Sequence, residues 1–430
     1  MWLFQRGTTL KKTPLTKKVA GIPEKIIVVF LFLASSMAVF ITAAIIYTLL
    51  KGSVEFFNYD EVNLWDFLIG TEWIPSGKHP SFGILPLVSG TLLVTGGTII
   101  LAGPIGIGAA LFLSEYAPFK LRTVMKPVIE LLAGIPSIVY GFFALYTIGP
   151  IIRDIFPEAD YFNVFQGVIV MTFMVLPIIV SISDDALKAV PNHLREASSA
   201  MGATKWETSF KIVIPAASSG ISASILLGIA RAIGETMVVA LAVGSIASLH
   251  LNPLQEAMPL TAYIAQTATG DIPPGSPGAD AGFAVGMVLF VIVFIINLIA
   301  GRVVLRIKKG GLAKKEPSRF SKFIKSKFGK DKGKVTEVGV LGENTVIRKI
   351  DRSRKLIKEE NQALRLKFRH IKGYTGIAVA ASSLVIAFIF LIFLLFRTFR
   401  DGYDVISWDF LTTEPGWRIS ELSIMPAIAG

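Results

Sequence analysis

The sequence predicts an all-α polytopic membrane protein with about six spans, plus a seventh that starts a second, incomplete repeat. Three observations predict it. Of 430 residues, 52% are hydrophobic and only 17% are charged, whereas a soluble domain carries about 25% charged residues. Seven runs are long and apolar enough to cross a hydrocarbon core, which takes about 20 residues each. The segments between those runs alternate in charge.

The runs lie at 26–50, 88–113, 124–148, 164–181, 221–245, 282–305 and 374–396, and another apolar stretch begins near Leu422. Residues 1–25 carry six basic groups against Glu24 alone. The run that follows is too long for a signal-peptide core and reads as a retained first helix. Segments 51–85, 149–163, 246–280 and 397–430 are each net acidic. Segments 1–25 and 114–126 are basic, and 182–211 balances at four charges of each sign. Segment 301–373 holds 23 basic and seven acidic residues, more than the whole chain's net charge of +12. The positive-inside rule therefore places the N-terminus, 114–126, 182–211 and 301–373 in the cytoplasm. The localisation implied is a multi-pass cell membrane protein. A basic excess confined to one side of a membrane argues for lipid contact and against nucleic acid.

Four regions follow: a basic segment 1–25, a membrane domain 26–305, a basic cytoplasmic linker 306–373, and the start of a second membrane unit at 374–430. The second unit echoes the first. Trp65-Asp66-Phe67-Leu68 recurs as Trp408-Asp409-Phe410-Leu411, and Gly83 to Gly90 is echoed by Ser423 to Gly430. Both copies follow a long span and an acidic segment, so we read one membrane unit fused to the truncated start of another. Paired repeats around a central path are common in transporters. Within the linker, Arg319–Lys330 places Phe320, Phe323, Ile324 and Phe328 near one helical face among lysines, an interfacial pattern. Residues 352–372 have the pattern of a polar helix.

Several chemistries are excluded or unsupported. The chain has no cysteine and four scattered histidines, so no thiolate site is possible and no metal-ligand spacing is seen. No G-x-x-x-x-G-K-[ST] phosphate loop occurs. We therefore expect no catalytic residues, no metal and no cofactor, and an energy source on another chain.

The segment 182–220 is the most informative. Glu196-Ala197-Ser198 is followed after three residues by Gly202, then after nine residues by Ile212-Val213-Ile214-Pro215. Pro191 and Asn192 open a short helix starting near His193, and Gly202 suits the left-handed residue that ends it. A second short helix over Lys205–Ile212 should stop before Pro215. Two short helices at a turn form a knob that a partner can grip. The spacing resembles the EAA loop of ABC importer permeases, with Ser198 and Ile214 as mild departures. That resemblance implies a type I ABC importer permease fold, and it implies that Glu196, Ala197, Gly202, Ile212 and Pro215 dock an ATP-hydrolysing subunit dimer.

The following run carries Arg231 and Glu235 in an apolar context. Each charge costs about 2.5–3.5 kcal/mol at a membrane centre on insertion scales. At i and i+4 the two share a helical face and can pair. The pair reads equally well as part of a substrate pathway or as a lock between helices. Arginine suits a tetrahedral oxyanion because its planar fork donates two parallel hydrogen bonds. The RAIGET segment here, LLAGIPSIVYGFFAL at 131–145 and LFLSEYAP at 111–118 resemble the phosphate permeases of ABC importers over roughly 65–305. Their order is closest to the first of the paired phosphate permease subunits, and the truncated repeat looks like the opening of the second. This resemblance implies a phosphate-binding protein on the outer face, a second permease subunit, and Arg231 and Glu235 on the pathway. The alternatives are a permease for sulfate or molybdate, an ion-coupled secondary carrier, or a membrane scaffold or sensor without flux. Glycines 96, 97, 103, 106 and 108 in the second run are expected to admit close helix packing, and Gly134 to Ser137 to kink the third.

Overall fold

The computed structural model describes residues 22–60, 62–76, 79–270, 272–273, 275–312 and 344–403. The helices are α1 (Ile22–Phe57), α2 (Leu64–Ile69), α3 (Leu85–Leu111), α4 (Phe119–Gly134), α5 (Ser137–Phe143), α6 (Gly149–Ile155) and α7 (Val164–Lys188). They continue with α8 (Asn192–Ala200), α9 (Lys205–Thr208), α10 (Ile214–Ile233), α11 (Met237–Ala242), α12 (Leu260–Thr269), α13 (Pro277–Leu312) and α14 (Asn344–Tyr403). A two-residue hairpin pairs β1 (Trp73–Ile74) antiparallel with β2 (Ser81–Phe82). π-Helical turns at Phe112–Tyr116, Ala144–Ile148 and Ser209–Val213 extend neighbouring α-helices. Among the described residues, seven helical runs are long and apolar enough to cross a membrane.

The centre of the bundle is α7. Met171, Val175, Leu176, Ile179 and Val180 are buried on it, between α3 and α10. Small residues set the approach distance. A Cβ on Gly106 would lie 2.6 Å from the Ile179 side chain, and one on Gly97 would lie 2.8 Å from Val168. Gly96 and Gly103 face open space instead. The glycine run is thus split between a packed face and an open one. Gly106→Val should lower stability by about 1–3 kcal/mol through overpacking, whereas Gly103→Ala should leave it unchanged or slightly raised. Thermal melting of the two variants in detergent checks the contrast.

An aromatic cluster joins the end of α1 to α2, the hairpin and α12. Phe56, Phe67, Trp73, Phe82 and Tyr263 meet edge to face, with Phe56–Phe82 centroids at 5.2 Å and Trp73–Tyr263 at 4.8 Å. Phe67 belongs to the first copy of the repeated Trp-Asp-Phe-Leu motif. The amide of Ile84 donates to the Phe67 carbonyl at 2.8 Å, joining this motif to the other echoed segment, Gly83 to Gly90. The second copy, at 408–430, lies outside the described residues.

Two spans differ from the sequence expectation. The run 124–148 is not one helix. Its first part is α4, and the chain breaks at Ile135-Pro136, where both residues are extended. Pro136 lacks a donor and pushes the preceding residue out of the helical region. The crossing segment is Ser137–Ile155, which takes in much of what the charge pattern assigned to an outer loop. The run 221–245 is also displaced. Its helix begins far earlier and ends at Ile233, so the crossing segment is Lys205–Ile233.

A further correction concerns Pro215. The helix over Lys205–Thr208 does not stop before it. The π-turn Ser209–Val213 carries the chain directly into α10, and Pro215 sits in that helix's first turn. In the wider π-turn, backbone bonds run to the fifth residue, and Pro lacks only a donor that a first turn leaves unpaired.

The linker is helical at both ends. Helix α13 runs past Arg302 to Leu312, and α14 runs unbroken from Asn344 through the seventh span, Gly373–Arg400. The amphipathic stretch Arg319–Lys330 lies outside the described residues. Helix α14 packs on α3 and α7. Phe390 stacks on Phe173 with centroids at 3.5 Å and meets Phe143 edge-on at 5.5 Å, and Ser383 fills the space beside Gly108. By contrast, Ile26–Leu33 on α1 are all exposed.

Candidate functional site

Two regions carry polar chemistry in an otherwise apolar bundle, and one continuous helical run joins them. The first is the knob formed by α8 and α9. Asn192–Ala200 forms its first helix, and Gly202 follows with φ +76°, the left-handed region where an L side chain is strained. Thr204 and Glu207 then form a reciprocal capping box that starts α9. The Ser198 hydroxyl meets that of Thr208 at 2.9 Å, closing the two helices on each other.

On its α8 side the knob is fastened to the bundle by Arg195. Arg195 pairs with Glu115 at 2.7 Å and donates to the carbonyls of Leu187 and Val190. The Tyr116 hydroxyl donates to Ser209 at 3.0 Å, so two π-turns touch here. Glu196, Ala197 and Gly202 are then left exposed on the far side, and Met201 projects with 90% of its surface free. Ile212 is half-buried and Pro215 exposed. The sequence-predicted residues therefore do not form one patch. Glu196, Ala197 and Gly202 lie on the knob, whereas Ile212 and Pro215 belong to the stem.

Just before the knob, the buried carboxylate of Asp184 is shared by Arg122 at 3.4 Å, Lys126 at 3.4 Å and Lys188. A carboxylate without exposed surface needs such partners, since an uncompensated buried charge is strongly destabilising. Lys126 also reaches Asp185 at 2.9 Å. Burial works against the Lys126 charge, but the Asp185 hydrogen bond and the two carboxylates outweigh it and raise its pKa. This cluster ties α4 to the end of α7.

The second region is the end of α10. Arg231 lies in its last turn, and the helix terminates at Gly234. Glu235 is thus in a break between α10 and α11 and not inside a helix as the sequence pattern suggested. The pair still forms, with Nη2 of Arg231 3.5 Å from the Glu235 carboxylate. The environments differ sharply: the Arg231 side chain is 48% exposed and that of Glu235 only 4%. The Glu235 carboxylate accepts weakly from the Val238 amide, while its backbone carbonyl accepts from the Thr261 hydroxyl at 2.7 Å. Nη2 of Arg231 also lies 4.0 Å from the Met174 sulfur. Arg231 is 26 residues from Lys205, about 39 Å at helical rise. A hydrocarbon core is only about 30 Å thick, so the pair lies near one end of the run and not at its midpoint. Irregular backbone at membrane depth is tolerated beside a cavity or buried in protein, which suits a break at this place.

Sequence reasoning missed Glu115, Asp184, Arg122 and Lys126. Only the Asp184–Lys188 spacing was visible locally; the other partners are 58 to 80 residues apart. Glu115→Gln should release the knob by about 2 kcal/mol, the scale of a hydrogen bond to a charged group. Faster amide exchange confined to α8, read by hydrogen-exchange mass spectrometry, is the expected result.

Comparison with known proteins decides the class. Residues 102–309 match the family described as binding-protein-dependent transport system inner membrane component. The probable ABC transporter permease YqgH of Bacillus subtilis is 36% identical over 263 residues, covering 61% of this chain and 85% of that protein. The chain belongs to this family of ABC transporter permeases. The phosphate transport system permease PstC of Mesorhizobium japonicum is 34% identical over 56% of this chain and 79% of its own length. PstC 1 of Mycobacterium tuberculosis is 32% identical over 57% and 83%. The permease is accordingly a multi-pass inner-membrane transport subunit, not an enzyme. These matches stop well short of the full 430 residues, and the family match ends within α13.

Proposed function

We propose that this permease carries inorganic phosphate into the cell as part of an ATP-driven importer. The observation that carries the reading is the half-exposed guanidinium of Arg231, held loosely at a helix break within the membrane run. An oxyanion could share that fork with little rearrangement. Among tetrahedral oxyanions, phosphate is the one that the names of these relatives point to. Binding there should be weak, because conduction needs a site the ion can leave.

The knob Asn192–Thr208 would sit in a groove of an ATP-hydrolysing subunit, gripped at Glu196, Ala197 and Gly202, with Ile212 and Pro215 in the stem that transmits movement. A phosphate-binding protein would deliver the ion to the opposite face. A second permease subunit would complete the path, and the N-terminus would be cytoplasmic. Residues 374–430 would open a second permease repeat, with 306–373 as its tether.

Labelled phosphate uptake tests this in cells lacking their own phosphate transporters. The permease would be co-expressed with its ATPase, binding protein and second permease. ATP-dependent uptake competed by arsenate but not by sulfate or molybdate is expected. Uptake competed by sulfate or molybdate would keep the importer and change the substrate. Uptake without the ATPase would indicate an ion-coupled carrier.

A further inference from the structure

We propose that the permease holds one anionic phospholipid in a cleft between the knob and the seventh span. The cleft has a volume of about 240 Å³ and is lined by Thr204, Lys205, Trp206, Gly373, Tyr374 and Ile377. It is built by two segments about 170 residues apart. The Trp206 indole packs against Gly376 so closely that a Cβ there would have no room, and Gly373 lies beside the same side chain. The cleft is thus a consequence of a close approach that only glycine permits.

Its depth identifies the occupant. Helix α14 changes character here: the sequence is strongly basic up to Lys372 and almost wholly apolar from Ile377 to Phe396. Gly373 and Tyr374 lie in the four-residue stretch between the two. The cleft therefore lies at the boundary between headgroups and acyl chains. Trp and Tyr favour that boundary because one end of each ring system is apolar and the other polar. Tyr374 and Trp206 supply both residue types.

The chemistry of the lining is divided in the same way. Ile377, the indole and the glycine backbone offer an apolar wall for the start of an acyl chain. Lys205 is the charged member of the lining, exposed and without an ion pair among the described residues. The Thr204 hydroxyl is already committed to its capping box. One lysine on an apolar wall is a poor site for a free, hydrated phosphate ion. It is a good site for a phosphoryl headgroup whose chains are anchored beside it. The basic segment 301–373, which leads into Gly373, would attract anionic lipid by its charge. A lipid here would fasten the knob to α14.

The test uses the full chain in nanodiscs of mixed phosphatidylglycerol and phosphatidylcholine. A photoactivatable analogue of one or the other lipid is added, with identical chains. Labelling at Lys205–Trp206 and Tyr374–Ile377 is read by peptide mass spectrometry. Phosphatidylglycerol should label about fivefold more than phosphatidylcholine, the preference one lysine near the surface supplies. Lys205→Gln should reduce the ratio to about one, and Ile377→Trp, which fills the cleft, should reduce labelling by both lipids. Equal labelling by the two lipids in the wild-type chain would overturn the proposal. So would labelling that survives Ile377→Trp in protein with unchanged melting. If that variant does not fold, the Lys205→Gln ratio decides.

Discussion

Arg231→Ala is expected to reduce phosphate uptake at least about tenfold while the assembled complex keeps its ATPase. A charge-assisted hydrogen bond contributes about 1.5–3 kcal/mol, and 1.4 kcal/mol is a factor of ten. The guanidinium is 48% exposed, so its loss leaves little packing void. It does leave the buried Glu235 carboxylate without its cation, and that effect must be separated from transport. The double variant Arg231→Ala with Glu235→Gln makes the separation. If the pair is only a lock between α10 and α11, removing both charges restores uptake. If Arg231 guides the anion, the double variant stays inactive. Arg231→Lys should recover part of the rate, since a point charge replaces a fork. Initial rates of labelled uptake, with ATP hydrolysis measured in parallel, check all three.

Gly202→Val should uncouple the permease from its ATPase without unfolding it. At φ +76° an L side chain costs roughly 1–2 kcal/mol, and a β-branched one is least tolerant. A Cβ there would meet nothing within 4 Å, so the penalty is conformational and not steric. The chain can relieve it by shifting the exposed end of α8, which carries Glu196 and Ala197. The bundle has no reason to respond, because Arg195 holds the other side of α8 on Glu115. We expect loss of ATPase co-purification with an unchanged melting temperature. Gly202→Asn should be much milder, since Asn visits the left-handed region more readily. A melting temperature that falls along with ATPase binding would show that the knob is part of the fold's stability.

Sequence patterns located seven apolar runs because hydrocarbon imposes a length on any helix that crosses it. They also located the turn at Gly202, because a left-handed residue has few chemical solutions. The patterns failed at helix ends inside apolar stretches. In 221–245 the terminus at Ile233 is signalled only by Gly234, Glu235 and Thr236, and the apolar run that resumes at Met237 masks it. Nor does hydropathy reveal that Pro215 is bypassed, because a π-turn has no residue signature comparable to Gly or Pro. For Arg231 and Glu235, the i to i+4 spacing correctly suggested contact. The difference in exposure between them comes from Thr261 and the break after Gly234, which are tertiary. The clamp from Arg195 to Glu115 was invisible for the same reason: its members are 80 residues apart.

The unbroken run from Lys205 to Ile233 has a consequence for how motion is delivered. Its 29 residues span about 43 Å. Past the π-turn at Ser209–Val213, where a helix can bend, α10 is a regular helix, a shaft with no second joint before Ile233. Turning the knob by a few degrees about the shaft axis turns the guanidinium at the far end by the same few degrees. Tilting it about the close contact with α7 displaces the two ends in opposite directions. The break after Gly234 is where the shaft ends and compliance begins. On the proposed reading, in which the knob docks on an ATPase and Arg231 contacts the anion, that guanidinium would report the angle of the ATPase, on one side of the break after Gly234.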